Sequence, residues 1–118
     1  MGLSGKIVLI VDDEKDLCDI IAAELSSAGA QPVSVHNVAE ARKYLAKSHV
    51  DLVVSDIRMP KASGVELLDS VEKSLPVVLM TGFSDITVPE ALARGARAVV
   101  SKPFDLDELR RLCESLTS

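Results

Sequence analysis

Side chains that can bind metal ions and phosphates stand just after the apolar segments of this chain. The apolar runs and the residues that follow them are Ile7–Val11 with Asp12 and Asp13, Leu52–Val54 with Asp56, Val77–Met80 with Thr81, and Ala98–Val100 with Lys102. Each residue alone has an ordinary structural interpretation, because aspartates cap helices, threonines occupy turns and lysines lie in solvated loops. Their shared position after apolar runs indicates a functional site instead.

The chemistry of this set starts from its three carboxylates. Asp12, Asp13 and Asp56 would repel one another at close range unless a cation neutralised them. No histidine or cysteine stands next to them in the sequence, and a small set of oxygen ligands suits Mg²⁺ better than Zn²⁺. The sequence therefore predicts a Mg²⁺ site.

Mg²⁺ beside a carboxylate, a hydroxyl and an ammonium group is typical of phosphoryl transfer, in which positioning and charge neutralisation provide most of the catalysis. The metal, Lys102 and Thr81 would each hold one oxygen of the transferred group. Asp56 is the best placed nucleophile, since its strand is expected at the centre of the sheet and carboxylates can form aspartyl phosphates.

The elements that position these residues are predicted from hydrophobic patterning. The four runs lack polar alternation, which is typical of parallel strands buried on both faces, and a fifth segment, Pro32–Val35, alternates and is expected at an edge. Apolar residues at helical spacing and capping residues predict the helices between the strands. The helices are Lys15–Ala28, a helix capped by Asn37 that ends at Lys47, Val65–Lys73, a short helix after Thr87, and a last helix for which Asp105 and Glu108 resemble a capping box.

Strand and helix thus alternate five times in a single expected domain, residues 1–118. This alternation predicts an α/β fold with a parallel sheet, right-handed crossovers and helices on both faces. Five strands favour a doubly wound, flavodoxin-like sheet of order 2-1-3-4-5, flanked by five helices, over an eight-stranded barrel. In such sheets ligands bind at the carboxyl ends of the strands, where the polar residues stand.

Composition and charge exclude several functional classes for this chain. The 118 residues are 47% hydrophobic and 26% charged, as in a globular domain. A net charge of -5 with 3% aromatic residues argues against direct binding of nucleic acids. Cys18 and Cys113, on expected core faces, suggest neither a disulfide scaffold nor a zinc site, and no signal peptide or membrane segment is apparent, so we expect a cytoplasmic location. His36 and His49 are expected on the surface, away from the strand ends.

The chain resembles the response-regulator receiver domains of two-component signalling, and the chemotaxis receiver in particular. The resemblance covers essentially all of it and rests on four ordered motifs. They are Asp12-Asp13-Glu14, Asp56-Ile57-Arg58-Met59-Pro60 followed by Gly64, Thr81-Gly82, and Lys102-Pro103-Phe104. The sheet order 2-1-3-4-5 is also implied by this resemblance, and our expectation of it rests partly on that.

The resemblance implies a phosphorelay function in which Asp56 accepts a phosphoryl group, without turnover of any other substrate. The donor would be a phosphohistidine on a sensor histidine kinase or a histidine phosphotransfer protein, and the output partner is left open. Asp12 and Asp13 would form the acidic pocket for Mg²⁺, with the backbone carbonyl of Arg58 as a further ligand. The resemblance also implies that the Thr81 hydroxyl moves toward the phosphoryl group, that Lys102 pairs with it, and that the Lys102-Pro103 peptide is cis.

The chain departs from the family pattern in its switch region. Receivers often carry an aromatic residue three positions before the lysine, where this chain has Val99, and the third and fourth helices are expected to be short. Arg58 and Phe83 flank the expected path of the hydrolytic water, so we expect a slowly hydrolysing phosphoform. Without an aromatic switch, we expect the segment from Gly82 to Thr87 and the helix after it to report phosphorylation.

Three alternatives compete with this interpretation. A Mg²⁺-dependent phosphatase of the haloacid-dehalogenase type also uses an aspartate nucleophile, but it requires a second aspartate where this chain has Arg58. A nucleotide-binding flavodoxin-like module would need a glycine-rich loop after the first strand. A degenerate receiver that only binds proteins would not need the intact set of acidic residues, threonine and lysine. The domain could stand alone or belong to a longer regulator or hybrid kinase.

Overall fold

Strands and helices alternate along the whole described chain, as the patterning predicts. The computed structural model describes residues 2–82 and 86–117. Within these ranges the strands are β1 (Ile7–Val11), β2 (Gln31–Val35), β3 (Leu52–Asp56), β4 (Val77–Thr81) and β5 (Ala98–Ser101). The helices are α1 (Lys15–Ser27), α2 (Val38–Lys47), α3 (Gly64–Ser70), α4 (Val88–Ala93) and α5 (Leu106–Leu116).

The five strands form one parallel sheet of order β2-β1-β3-β4-β5, which confirms the predicted topology. Val11 at the end of β1 pairs with Ser55, and Asp56 at the end of β3 pairs with Met80. Thr81, the last residue of β4, pairs with Ser101. The carboxyl ends of the four strands that carry predicted site residues are therefore level with one another.

Two apolar layers enclose the sheet, and alternate residues of each strand contribute to opposite layers. On β1, Val8 and Ile10 pack with α1 and α5, whereas Leu9 and Val11 pack with α2, α3 and α4. Both cysteines are fully buried and free in the first layer, as their helical spacing predicts. Burial on both faces explains why the central strands lack polar alternation.

Capping residues begin four of the helices. The side chain of Asn37 accepts a hydrogen bond from the amide of Glu40, at 2.8 Å, and Thr87 and Glu90 form a reciprocal capping box at the start of α4. Ser63 caps α3 in the same way as Asn37 caps α2. Asp105 also caps its helix. Its carboxylate accepts the amide of Asp107 at 2.8 Å and not the amide of Glu108, so the prediction of a capping box with Glu108 is wrong.

Helix α3 is shorter than predicted. It begins at Gly64 and ends at Ser70, because Val71 adopts an extended backbone and packs its side chain against the second apolar layer. The predicted end at Lys73 is therefore wrong. The expectation that α3 and α4 are both short is confirmed, at 7 and 6 residues.

The amino-terminal segment is part of the core, which the sequence pattern did not predict. Leu3 is fully buried in the first apolar layer. The amide of Gly5 donates to the carbonyl of Gly29 at 3.0 Å, and the hydroxyl of Thr117 donates to the carbonyl of Gly2 at 2.9 Å. The amino-terminal segment is thus hydrogen-bonded both to the turn after α1 and to the residue that follows α5.

The side chain of Asp51 links the start of β3 to the start of β1. This contact predicts that the stability of the domain depends on pH. Its carboxylate accepts the amide of Ile7 at 2.8 Å and contacts His49 Nε2 at 2.7 Å. The hydrogen bond from Ile7 lowers the pKa of Asp51, with burial opposing and His49 adding to the effect. A carboxyl whose pKa falls on folding stabilises the fold above its unfolded pKa, and that stabilisation is lost as the pH falls through the folded pKa.

We therefore expect Asp51→Asn to lower the free energy of unfolding by about 1 kcal/mol at pH 7, since hydrogen bonds to charged groups are worth more than those to neutral ones. The amide keeps an oxygen acceptor, so only the charge is lost. The difference should shrink as the pH falls through the lowered pKa of Asp51, because the parent carboxyl then becomes protonated as well. Urea unfolding across an acid pH series measures it, and a difference that stays constant down to full protonation of the carboxylates would contradict the assignment.

None of the helices in the described part of the chain combines the length and the apolar content needed to cross a bilayer.

Candidate functional site

The loop after β1 brings two acidic side chains to the carboxyl edge of the sheet. Asp12 is fully buried, and its Oδ1 accepts the amide of Glu14 at 2.9 Å. This bond holds the carboxylate against the start of α1, whose own N-cap, Glu14, makes no side-chain cap. Asp13 is exposed, so one carboxylate is fixed inside the site and the next faces solvent.

Asp56 completes an acidic cluster. It is the last residue of β3 and is 6% exposed. One carboxylate oxygen from each of Asp12, Asp13 and Asp56 lies within 4.8 Å of the others. The sequence prediction that these three residues meet at one edge of the sheet therefore agrees with the geometry.

Lys102 reaches into this cluster from the far strand. Its amide donates to the carbonyl of Thr81 at 2.7 Å, and the Lys102-Pro103 peptide is cis, as predicted. The Lys102 ammonium lies 3.1 Å from Asp12 Oδ2 and 3.4 Å from Asp56 Oδ1. A third carboxylate, Glu14 Oε1, lies 3.6 Å away. One ammonium thus bridges the ends of β1 and β3.

Burial and charge shift the pKa values of this pair. Burial raises the pKa of the Asp56 carboxyl, and the charge of Asp12 adds to the rise, while Lys102 opposes it. Burial disfavours the charged form of Lys102, but the hydrogen bond and the charge of Asp12 outweigh it and raise the pKa of the lysine. A single ammonium faces several carboxylates, so the site favours additional positive charge.

Thr81 and Arg58 border the cluster. Thr81 is half-buried at the end of β4, beside the strand that carries Asp56. Arg58 is exposed and lines, with Asp13, an open cleft of about 520 Å³ that also includes Met59 and Pro60. The cleft shares Asp13 with the acidic cluster. Phe83, also singled out by the sequence, lies outside the described residues.

Val99 lies on β5 opposite Leu79 of β4. It is half-buried and packs in the second apolar layer, which also holds Ala91 of α4. The side chain of Val99 is β-branched, has few rotamers and carries no aromatic ring. A rotation of an aromatic ring between an inward and an outward position is therefore not available here. Of the segment from Gly82 to Thr87 expected to report phosphorylation, residues 83–85 lie outside the described part.

Two residues near the cluster were not assigned a place in it from sequence. Glu14 belongs to the acidic run but was given no role, and it is the third carboxylate near Lys102. His36 was expected away from the strand ends, which is wrong: it directly follows β2, is half-buried, and its Nδ1 lies 3.1 Å from the carbonyl oxygen of Asp12. Its position immediately after the expected edge strand, Pro32–Val35, was the available signal. His49 is exposed, as expected.

A larger cavity, of about 650 Å³, lies at the opposite ends of the strands. It is lined by the end of α2 and the connection from α3 to β4, including Arg42 and Pro76. It contains no residue of the acidic cluster, so its size does not make it the better candidate site.

The family model of the response regulator receiver domain matches residues 8–114 of this chain. The chain belongs to the response regulator receiver family. The matched range contains the whole acidic cluster and Lys102, so the receiver domain comprises all the predicted site residues.

Curated relatives of this receiver domain are regulators of transcription or of other responses. It is 35% identical over 114 residues to the response regulator protein PilR of Pseudomonas aeruginosa, covering 93% of this chain and 26% of PilR. It is 36% identical over 116 residues to the DNA-binding transcriptional regulator NtrC of Escherichia coli K12, covering 95% of this chain and 25% of NtrC. The chain therefore spans about a quarter of the length of these curated relatives.

Solved receiver structures share the fold over nearly the whole chain. The response regulator TrrA of Thermotoga maritima, solved in complex with Mg²⁺ and beryllofluoride, superposes with a TM-score of 0.86 at 31% identity, covering 94% of this chain and 98% of TrrA. The chain is thus a response regulator receiver domain by family and by fold.

Proposed function

We propose that this receiver domain accepts a phosphoryl group on Asp56 in a Mg²⁺-dependent reaction and signals through the resulting conformational change. The observation that carries the proposal is the contact of one ammonium, Lys102 Nζ, with the carboxylates of both Asp12 and Asp56, at 3.1 and 3.4 Å. This arrangement leaves a nucleophilic oxygen beside a fixed positive charge, as phosphoryl transfer to a carboxylate requires.

The donor set fits Mg²⁺. Asp12, Asp13 and Asp56 offer hard oxygen ligands within 4.8 Å of one another, and the exposure of Asp13 leaves room for retained water, which Mg²⁺ prefers. The backbone carbonyl of Arg58, in the same cleft as Asp13, is proposed as a further ligand. When bound, Mg²⁺ supplies the positive charge that allows an anionic donor to approach three carboxylates.

The transfer step forms one bond and breaks one. A carboxylate oxygen of Asp56 attacks the phosphorus of a phosphohistidine, the P–N bond breaks, and the imidazole leaves with the electron pair and takes up a proton. Lys102 is placed to pair with one phosphoryl oxygen, and Thr81 at the end of β4 is proposed to donate its hydroxyl to another. These residues position and neutralise the group, which is the main requirement of this chemistry.

Residues around the acidic cluster are proposed to control the hydrolysis of the aspartyl phosphate and the transmission of the signal. We propose that Arg58 and Phe83 shield the aspartyl phosphate from water and so slow its hydrolysis. Because Val99 is aliphatic and packed near α4, signalling is proposed to proceed through the segment from Gly82 to Thr87 and α4 without an aromatic switch.

The partner on the donor side is proposed to be a sensor histidine kinase or a histidine phosphotransfer protein, because the chain belongs to the response regulator receiver family. The effector on the output side can belong to the same polypeptide or to another protein. Two free, buried cysteines suit a reducing compartment, which supports a cytoplasmic location.

The receiver function is favoured over an aspartate-dependent phosphatase, whose second acidic residue would stand at Arg58. In this proposal the domain catalyses only its own phosphorylation and dephosphorylation. A degenerate, purely protein-binding receiver is disfavoured because Lys102 contacts both Asp12 and Asp56.

The test is incubation of the protein with acetyl phosphate and Mg²⁺, followed by intact-mass analysis. We expect incorporation of one phosphoryl group when Mg²⁺ is present, and none when Mg²⁺ is chelated before the donor is added. Steady release of inorganic phosphate from a phosphomonoester would instead identify a phosphatase, and no incorporation at saturating Mg²⁺ would refute the proposal.

A further inference from the structure

The backbone of Asp12 is held from the side by the end of the edge strand β2. The amide of Asp12 donates to the carbonyl of Val35 at 3.2 Å. The carbonyl of Asp12 faces His36 Nδ1 at 3.1 Å and Cys18 Sγ at 3.4 Å. Both backbone groups of this buried residue are therefore fixed by neighbours outside its own loop.

The contact with His36 defines the role of the imidazole. A carbonyl oxygen can only accept, so a hydrogen bond between these two groups requires the hydrogen on Nδ1. A thiol is only a weak donor, so of the two side chains that meet this carbonyl the imidazole is the stronger partner. The backbone of His36 is itself held, because its amide donates to Glu40 Oε1 at 2.8 Å.

The backbone orientation of Asp12 affects the acidic cluster because the side chain of Asp12 makes two further contacts. Its Oδ1 accepts the amide of Glu14, and its Oδ2 lies 3.1 Å from Lys102 Nζ. The carbonyl and the carboxylate of Asp12 extend from the same Cα atom, so a displacement of the Asp12 backbone would move the carboxylate relative to these partners and to Asp56. A side chain that fixes the carbonyl therefore also fixes the carboxylate.

We propose that His36 is a positioning residue of the acidic site: its Nδ1–H holds the Asp12 carbonyl and so orients the Asp12 carboxylate for Mg²⁺ and for Lys102. This inference rests on the proposed Mg²⁺-dependent function. Partners that orient a metal ligand commonly change metal affinity by one to two orders of magnitude when removed.

The first test compares two substitutions of nearly equal shape. Asn places its Nδ2 where His carries Nδ1 and can donate, whereas Leu fills the same space and cannot. By titration calorimetry with MgCl₂, we expect His36→Leu to weaken Mg²⁺ binding about tenfold and His36→Asn to stay within about twofold of the parent. Rescue by Asn separates positioning from loss of packing, which both substitutions share.

The other histidine provides the control. His49 is exposed and contacts Asp51, far from the acidic cluster in the fold, so His49→Leu should leave Mg²⁺ binding unchanged. Equal affinities of His36→Leu and the parent would overturn the inference while leaving the proposed function intact. A parent that binds no Mg²⁺ would instead overturn the proposed function together with the inference that rests on it.

The second test needs no metal and no variant. The ¹⁵N chemical shifts of the His36 imidazole report which ring nitrogen carries a proton, and we expect a protonated Nδ1, although free neutral histidine favours protonation at Nε2. An unprotonated Nδ1 would exclude the hydrogen bond to Asp12 and would overturn the inference.

Discussion

Asp56→Asn is expected to abolish phosphoryl incorporation, with a loss of at least about a hundredfold, because an amide has no ionised oxygen to form the bond to phosphorus. The substitution preserves the shape of the side chain at the end of β3. It also removes a charge whose presence burial and Asp12 disfavour, so the variant should fold. Intact-mass analysis with acetyl phosphate and Mg²⁺ measures the effect.

The matched control for this substitution lies just before the same strand. Asp51 precedes β3, and its carboxylate bonds to Ile7 and His49, not to the acidic cluster. Asp51→Asn should therefore incorporate phosphoryl groups like the parent, although it lowers stability. Equal labelling of Asp56→Asn and Asp51→Asn would show that another residue accepts the group.

Gly64→Ala is expected to destabilise the domain by about 3 kcal/mol, at the upper end of the usual cost of overpacking. A Cβ atom at Gly64 would overlap the carbonyl oxygen of Asp56 and would lie 3.1 Å from Cα of Ile57. Both contacts are with backbone, so no rotation of a side chain can relieve them. The start of α3 would have to move away from β3, against the hydrogen bond from the Gly64 amide to the Ile57 carbonyl, at 2.9 Å.

This loss would be a large share of the stability of an ordinary domain, and it would also displace the backbone that carries Asp56. Urea unfolding measures the first effect, and phosphoryl incorporation by the folded fraction measures the second. Gly82→Ala is the control, because a Cβ atom there would meet no atom of the described residues within 4 Å, so a change below about 0.5 kcal/mol is expected. Equal stabilities of the two variants would contradict the close approach of α3 to Asp56.

Local sequence patterns were sufficient for the strands and for the residues that follow them. The runs before Asp12, Asp56 and Thr81 are apolar on both faces, which only a sheet covered by helices on each side can bury. Parallel strands all present their carboxyl ends to one edge, so the residue that follows each run must lie there. The start of α2 was readable for a similar reason, because the Asn37 side chain bonds the amide of Glu40 within its own turn.

Predictions from local sequence patterns were less reliable where the structure depends on contacts that the pattern does not record. The end of α3 depends on Val71, which leaves the helix to pack in the second apolar layer. The partner of Asp105 depends on the geometry of one turn, in which the amide of Asp107 is the donor. Burial of Leu3 depends on elements far along the chain, such as Thr117, whose hydroxyl bonds to Gly2.

Hydrophobic patterning was enough to predict the α/β sheet and the types of residue at its carboxyl edge, and the family resemblance supported its doubly wound order. The atoms that meet at this edge are known from the fold alone: Lys102 Nζ lies between Asp12 and Asp56, Glu14 is a third neighbour, and His36 faces the Asp12 carbonyl. Periodicity records which residues are buried and which end an element. Contacts between residues distant along the chain, such as those of Lys102 with β1 and β3, are instead set by strand order and register.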